Sequence, residues 1–448
     1  MKYLIGLDIG TSSVKGVLMN EVGEIKRTAH GVFKYTKTKN NGIEIEADDF
    51  VAVCFTAIRE LASAADAPIT AICASSASGN LLILDKKNTP ITPIFNWQDE
   101  RTTTEGKDVL GNLDADDFYF RIGWPFDFKT FPLGLACYLK KNSPEKIEDC
   151  GIMCMSTEYL YYRLTGKWGI STSAGTPFYL IDQQSGRYIP EVLNSLGITE
   201  EQLPPIMPCG TLLGGITDRA SKECGLKTGT NVVIGSFDHP SAARGVGVFE
   251  EGDLLLSCGT SWVGFAPVKD RNKATNAKLL IDPFLSDKNG CWGTMVSVAS
   301  ISERIKLYVE RYIDNTPDCY KIMSKLAAKS TTGAGGLTLD LRDYPDDDMI
   351  KKFPGEDIAR AIMEGTVNLL RNQLERIKKM GIDPKSAVMV GGPSADPMWS
   401  ELIEEICGIH VRVQHGVSAG AVGAAVMAGI GAGLYADEKD ALRNFDKE

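Results

Sequence analysis

The sequence predicts an α/β fold built from two related halves, and three observations lead there. Leu7-Asp8-Ile9-Gly10-Thr11-Ser12-Ser13-Val14 aligns with Leu256-Ser257-Cys258-Gly259-Thr260-Ser261-Trp262-Val263, five of eight positions being identical. Each copy lies between two apolar runs of strand length, which favours a duplicated strand–turn–strand unit over a chance match of a common Gly-Thr-Ser turn. Strand-like and helix-like segments alternate in two cycles, the second starting near residue 230. Glycine supplies 45 of 448 residues, above the usual ~7%, as expected for many tight turns and close backbone approaches.

Element by element, 2–10 and 14–19 read as strands around the first turn, and 24–34 as a third after a turn at 20–23. A helix is expected over 48–65, capped by Asp48, with Phe50, Val51, Ala57, Ile58 and Leu61 on its apolar face. Strands follow at 69–74 and 81–85. Residues 100–200 read as mostly helical, clearest at 157–164 and 189–196, and Pro204, Pro205 and Pro208 mark an extended connection. In the second cycle strands are expected at 231–235, 252–257 and 387–390, and helices from 240, over 300–312, over 357–380 before Gly381, and over 397–407. The stretch 416–436 is uncharged but rich in Gly and Ala rather than Leu, so it predicts a helix that something approaches closely rather than a membrane span. From Asp437 the chain is charge-rich, a surface helix or a frayed tail.

Composition excludes several classes. Lys plus Arg is 48 and Asp plus Glu is 58, a formal charge of −10, and no basic cluster offers the surface a nucleic-acid binder needs. Eleven scattered cysteines lack framework spacing and predict a reduced, cytoplasmic protein. The pair Cys150 and Cys154 has no histidine nearby, so zinc is not expected. The apolar run 3–7 stops at Asp8, too short for a signal-peptide core of about 7–15 residues. No Gly-x-x-x-x-Gly-Lys-Ser/Thr occurs, which excludes a P-loop.

The first turn carries the equipment of a phosphate cradle. Gly10 permits a tight turn with exposed N–H groups, Thr11, Ser12 and Ser13 add hydroxyls, and Lys15 adds a cation. Asp8, at a strand end, could hold Mg²⁺ against phosphate oxygens; a polar hairpin with a solvated Asp is the alternative. Asp238 follows the strand at 231–235 and begins a helix, where α/β active sites usually lie, although helix capping is the commoner role of such an Asp. Asp8 and Asp238 would form a two-carboxylate pair, one for metal and one as base.

Gly6-Leu7-Asp8-Ile9-Gly10-Thr11-Ser12, Phe95-Asn96-Trp97-Gln98-Asp99-Glu100-Arg101 and Tyr159-Leu160-Tyr161-Tyr162-Arg163-Leu164-Thr165-Gly166 occur in that order. With 225–230, Asp238, 257–261, Glu364-Gly365-Thr366, 391–394 and 419–425, their order and spacing resemble the FGGY carbohydrate kinases across nearly the whole chain. The resemblance implies two duplicated ribonuclease H-like domains of the actin-like ATPase kind, an N-terminal sugar-binding domain over 1–236 and a C-terminal nucleotide-binding domain over 237–448, with Mg-ATP in the cleft between them. It implies Asp238 as catalytic base and metal-side group, and Asp8 as the Mg²⁺-side aspartate. Gly10, Thr11, Ser12 and Gly259, Thr260, Ser261 resemble the phosphate turns, with Lys15 beside the first, and Gly391, Gly392, Pro393, Ser394 and Gly420 resemble the adenosine side. Three departures stand out: Ala77-Ser78 precedes Gly79 where xylulose kinases often have Met-His and glycerol kinases Arg-Glu, Leu135 and Tyr138 replace a Lys and a Trp, and 339–354 replaces a Pro-Tyr-x-x-Gly-Glu-Arg segment.

The expected activity is ATP-dependent phosphorylation of a small ketose or polyol, xylulokinase-like and not glycerol kinase. Ser78, Trp97, Asp99 and His239 are the expected substrate contacts: Trp97 offers a flat face to sugar C–H groups, the others hydrogen bonds. Trp97 could instead be core, and Asp99 could pair with Arg101 on the surface. A same-fold ATPase, or a degenerate kinase kept as a binding or regulatory protein, stays open. The partners expected are a small-molecule sugar or polyol, with no nucleic acid and no membrane; oligomeric state is open, a homodimer included.

Overall fold

A computed structural model describes residues 1–111, 113–125 and 131–445. The chain divides into two compact units, Met1–Gly247 with Leu280–Gly290 and Val417–Glu448, and Val248–Leu279 with Cys291–Gly416. This division differs from a single boundary at 236/237, because two later segments return to the first unit.

The sheet of the first unit contains β1 (Tyr3–Ile9), β2 (Ser13–Asn20), β3 (Ile25–Val32), β4 (Ile69–Ser76), β5 (Leu212–Gly215) and β6 (Asn231–Val233). Their spatial order is β5-β6-β4-β1-β2-β3. The hairpins β1–β2 and β2–β3 are antiparallel, while β4 runs parallel to β1 and β6 parallel to β4. Side chains alternate across β1 with period two. Tyr3, Ile5, Leu7 and Ile9 enter the core shared with helices α1 (Ala47–Ser63) and α2 (Ser156–Thr165). Leu4 packs on the opposite face against the later helix of residues 419–431, so Gly6 and Asp8 follow it onto that face. Burying both faces is what makes β1 a nearly continuous apolar run.

Two further helices of this unit set up the site, α3 (Asp238–Val246) and α4 (Ala419–Gly431). They cross with backbone against backbone: a Cβ at Gly245 would run into the carbonyl oxygen of Ala419, and one at Gly423 into that of Ser241. A Cβ at Gly6 would likewise collide with the Ala421 carbonyl. This approach accounts for the Gly/Ala-rich stretch; among the described residues no helix is long and apolar enough to cross a membrane.

In the second unit the strands are β7 (Leu255–Cys258), β8 (Trp262–Val268), β9 (Trp292–Val298), β10 (Ser386–Gly391) and β11 (His410–Val413). They lie in the order β9-β8-β7-β10-β11, with β7–β8 and β8–β9 antiparallel, β10 parallel to β7 and β11 parallel to β10. That repeats β3-β2-β1-β4-β6 strand for strand. The repeat in the sequence is therefore a repeat of fold, the duplicated ribonuclease H-like arrangement.

Local differences from expectation have local causes. α1 starts after Glu46, whose backbone is extended, so Asp48 sits in the first turn and pairs with Arg163 rather than capping. The long helix expected over 357–380 spans Gly355–Lys378, with Gly381 at φ +81 just beyond it. The described part of 100–200 mixes short helices with strand pairs, including Ile152–Cys154 against Leu82–Leu84 and Ile170–Ser171 against Ile206–Met207; residues 112 and 126–130 of it lie outside the described residues. The charge-rich end forms a helix over Glu438–Phe445.

Candidate active site

β1 delivers Asp8 to the face occupied by α4. Ser418 caps that helix, accepting the Ala421 N–H at 3.3 Å, and donates its hydroxyl hydrogen to Asp8 Oδ2 at 2.6 Å. Gly420 leaves room for the carboxylate, since a Cβ there would lie 2.8 Å from Asp8 Cγ. Lys15 stands opposite Asp8 in the hairpin register. Burial raises the Asp8 pKa, opposed by the Ser418 hydrogen bond, reinforced by the charge of Asp238 and opposed again by Lys15. Gly420 was expected at the adenosine; it is buried, and its carbonyl accepts the Ser241 hydroxyl at 2.8 Å. Its observed work is to seat Asp8 and α3.

Asp238 is the first residue of α3, after an extended Phe237. Its carboxylate does not cap the helix. It accepts the adjacent His239 N–H at 2.6 Å, and His239 Nε2 lies 3.8 Å from Oδ1. About a quarter of the Asp238 side chain is exposed. Burial of the rest raises its pKa, and the His239 charge pulls the other way. Asp8 and Asp238 are thus neighbouring, half-buried carboxylates, and among the described residues no third Asp, Glu, His or Cys joins them in a metal-binding group.

A shallow open cleft lies beside the first turn. Gly10, Thr11, Ser78, Asn80 and Asn96 line it, with Tyr35, Phe50 and Trp97 as aromatic walls. Trp97 is 37% exposed, and its indole N–H donates to the Thr11 hydroxyl at 2.9 Å, tying the aromatic wall to the turn. Ser78 has φ +51 and its N–H donates to Ser76 Oγ at 3.0 Å, a strained turn that hangs the 76–80 segment over the cleft. The cleft joins the Asp238 segment through Ser76, which bridges Phe237. Rings continue that link, Trp97 to Phe131 at 6.3 Å, Phe131 to Trp124 at 5.8 Å, Trp124 to Phe237 at 5.4 Å and Phe237 to His239 at 5.6 Å.

Two expected substrate contacts are not among the residues lining this cleft. Asp99 has a wholly buried carboxylate, paired with Arg101 at 2.8 Å and accepting the Ile43 N–H at 2.8 Å. A carboxylate so neutralised holds the 96–101 loop in place and presents nothing to a ligand. His239 belongs to the Asp238 segment, and neither it nor Asp238 is among the residues lining the cleft; it stays beside the carboxylate rather than beside Trp97. Sequence reasoning missed Ser418, although a Ser directly before an Ala/Gly-rich helix is a readable cap signal. It also missed Tyr35, Asn80 and Asn96, whose cleft positions have no local signal.

The second unit repeats the turn. Gly259 N–H donates to Ser261 O at 3.1 Å, as Gly10 N–H does to Ser13 O at 2.9 Å. Gly259 and Thr260 are exposed, and Ser302 braces the turn by donating its hydroxyl to Gly259 O at 2.6 Å. Gly391, at φ +103, sits beside Cys258, whose carbonyl excludes a Cβ. Gly391 and Gly392 are exposed, Pro393 starts a short turn, and Ser394 closes it by donating to Gly391 O at 2.7 Å.

Comparison with known proteins agrees with this architecture. Residues 3–245 match the N-terminal domain, and 333–432 the C-terminal domain, of the FGGY family of carbohydrate kinases. The chain is 24% identical to the xylulose kinase of Bacillus subtilis, covering 100% of this chain and 92% of that protein. It is 25% identical to the autoinducer-2 kinase of Yersinia pestis, covering 97% and 87%. Among solved structures, the gluconate kinase of Lactobacillus acidophilus superposes with a TM-score of 0.88 at 20% identity, covering 99% and 92%. With a family model spanning more than half its length and both domains matched in order, the chain belongs to the FGGY family of carbohydrate kinases and is an ATP-dependent sugar kinase.

Proposed function

We propose that the protein transfers the γ-phosphoryl group of Mg-ATP to a hydroxyl of a small, uncharged ketose or polyol, xylulose-like rather than glycerol. The observation that carries this reading is the pair Asp8 and Asp238, two half-buried carboxylates near enough for the charge of one to raise the pKa of the other. Asp238 would take the proton of the attacking hydroxyl, and Asp8 would stand on the metal side. Their oxygen-only donor set suits a hard cation that keeps several waters. When bound, Mg²⁺ would neutralise phosphate charge that builds up during transfer. The turns at 10–12 and 259–261 would bind phosphate oxygens through backbone N–H groups, and 391–394 the nucleoside. None of the residues lining the cleft is charged, which supports a neutral acceptor held by hydroxyls, amides and an aromatic face.

The test is a panel of pentuloses, hexuloses, alditols and aldonates, scored by acceptor-dependent ADP release and by thermal shift with a non-hydrolysable ATP analogue. Turnover of a neutral ketose or alditol is the expected result. Turnover confined to an aldonate would overturn the acceptor class, and ADP release that no acceptor stimulates would overturn the transfer itself.

A further inference from the structure

Asp238 is weakly held for a group that must meet a reacting hydroxyl. Its carboxylate accepts the adjacent His239 N–H, and among the described residues no side chain hydrogen-bonds it. Its aim therefore depends on the backbone at Phe237, and that backbone is fixed from an unexpected direction. The Phe237 N–H donates to Ser173 Oγ at 3.1 Å, and the Ser173 hydroxyl donates to Asp282 Oδ2 at 2.7 Å. Both Ser173 and Asp282 are completely buried.

Asp282 is anchored in turn. Its Oδ1 accepts the Phe284 N–H at 2.7 Å, and Phe284 O accepts Arg244 Nη2 at 2.7 Å. Arg244 lies on α3, the helix that Asp238 starts, and its Nη1 donates to Pro240 O at 3.3 Å. The chain of bonds thus closes on itself: Asp238, α3, Arg244, Phe284, Asp282, Ser173, Phe237 and back to Asp238. A burial as complete as that of Asp282 costs several kcal/mol for an unpaired carboxylate. A fold with no use for it would place an apolar residue there.

We infer that Ser173 and Asp282 are positioning residues for phosphoryl transfer, acting on Asp238 through the Phe237 amide; the inference rests on Asp238 being the base. Holding that amide fixes the first peptide of α3 and with it the direction of the carboxylate, in the way a small misplacement of a catalytic group removes much of its effect. Neither residue touches the cleft, so ground-state binding should be spared.

The variants are Asp282→Asn, Ser173→Ala and the double substitution, with Asp238→Asn as reference, assayed with Mg-ATP and xylulose and followed by hydrogen exchange over 236–239. Asn keeps an acceptor for Phe284 N–H, so Asp282→Asn is the variant that folds if Ser173→Ala does not. Each single variant should exchange faster at 236–239 and lose about 10- to 100-fold in kcat, with KM for both substrates within about threefold, the pattern of an interaction used only in the transition state. The double variant should be no worse than the poorer single one, because both act through one amide. Wild-type kcat or unchanged exchange in folded variants would overturn the inference, as would additive losses or a loss confined to KM. Asp238→Asn retaining more than about a tenth of turnover would overturn the base assignment and this inference with it, a different signature from failure of the ring alone.

Discussion

Ser418 and Asp8 are separated by 410 positions in the chain and joined by a hydrogen bond of 2.6 Å. The same hydroxyl accepts the Ala421 N–H at the start of α4, so one side chain caps a helix and orients a carboxylate. The helix N-terminus also favours negative charge there, yet burial dominates and the Asp8 pKa is raised. Ser418→Ala should lose about 1 kcal/mol of capping and push the Asp8 pKa higher still. A lower Tm and a higher Mg²⁺ requirement for half-maximal turnover are expected; an unchanged Mg²⁺ requirement would separate Asp8 from the metal.

Asp238→Asn keeps the shape of the side chain and removes its basicity. Turnover should fall by about 10²–10⁴-fold, the usual range for loss of a general base, while ATP affinity stays nearly intact. Single-turnover kinetics with an equilibrium measurement of ATP binding separates the two. A variant with more than about a tenth of wild-type turnover would remove Asp238 from the proton transfer.

Local chemistry made part of this site legible in the sequence. Gly10 and Gly259 announce their turns because each ends an apolar run and is followed by Thr-Ser, and Asp238 announces itself by following a strand and opening a helix. Small residues along 419–431 announce a close approach, though not its partner. What the sequence withheld is pairing at a distance. Nothing near Asp8 points to Ser418, and nothing near Phe237 points to Ser173 or Asp282. The pairing of Asp99 with Arg101 was open to inspection, but only the fold decides that the pair is buried, with 0% and 8% of the two side chains exposed. The return of α4 to the first unit is equally invisible, because burial on the face of β1 is decided by a sheet that forms far upstream.

Glu158 gives a pH-dependent prediction for stability. It is buried, one carboxylate oxygen accepts the Met155 N–H at 3.1 Å, and the other has no partner among the described residues. Burial pushes its pKa up to about 7, whereas the unfolded chain has it near 4.3. The folded state therefore holds the proton more tightly. Its contribution to stability is full below the unfolded pKa and is lost as pH rises through about 7. Glu158→Gln keeps the acceptor for Met155 and cannot ionise. It should match the wild type near pH 4.5 and exceed its stability at pH 8, by at most about 4 kcal/mol. Parallel Tm–pH curves for the two proteins would mean that Glu158 does not titrate in that window.

Trp97 separates apolar contact from hydrogen bonding. Trp97→Phe retains a ring beside Phe131 and loses the bond to Thr11 Oγ1, whereas Trp97→Ala removes both. Alanine should raise KM for the acceptor by about tenfold or more, consistent with the loss of 1.4 kcal/mol or more of binding, and leave KM for ATP within about twofold. Phenylalanine should fall between. Equal effects on both substrates would indicate that Trp97 supports the fold of the turn rather than the acceptor.

Gly423 tests whether the backbone contact of α3 with α4 positions Asp238. A Cβ at 423 would overlap the Ser241 carbonyl oxygen and lie 3.0 Å from Gly245 N, and neither atom can swing aside because both belong to the α3 backbone. The helices must separate, and α3 begins with Asp238. Gly423→Ala should therefore destabilise by about 1–3 kcal/mol through overpacking and lower kcat in the folded fraction. Gly355 supplies the control. It opens a long helix with nothing within 4 Å of a Cβ, so Gly355→Ala should be neutral or slightly stabilising, as helix propensity alone dictates. The relevant comparison is Tm and kcat for both variants side by side. If Gly423→Ala behaves like Gly355→Ala in both, the helices have room to spare and the close crossing does not set the position of Asp238.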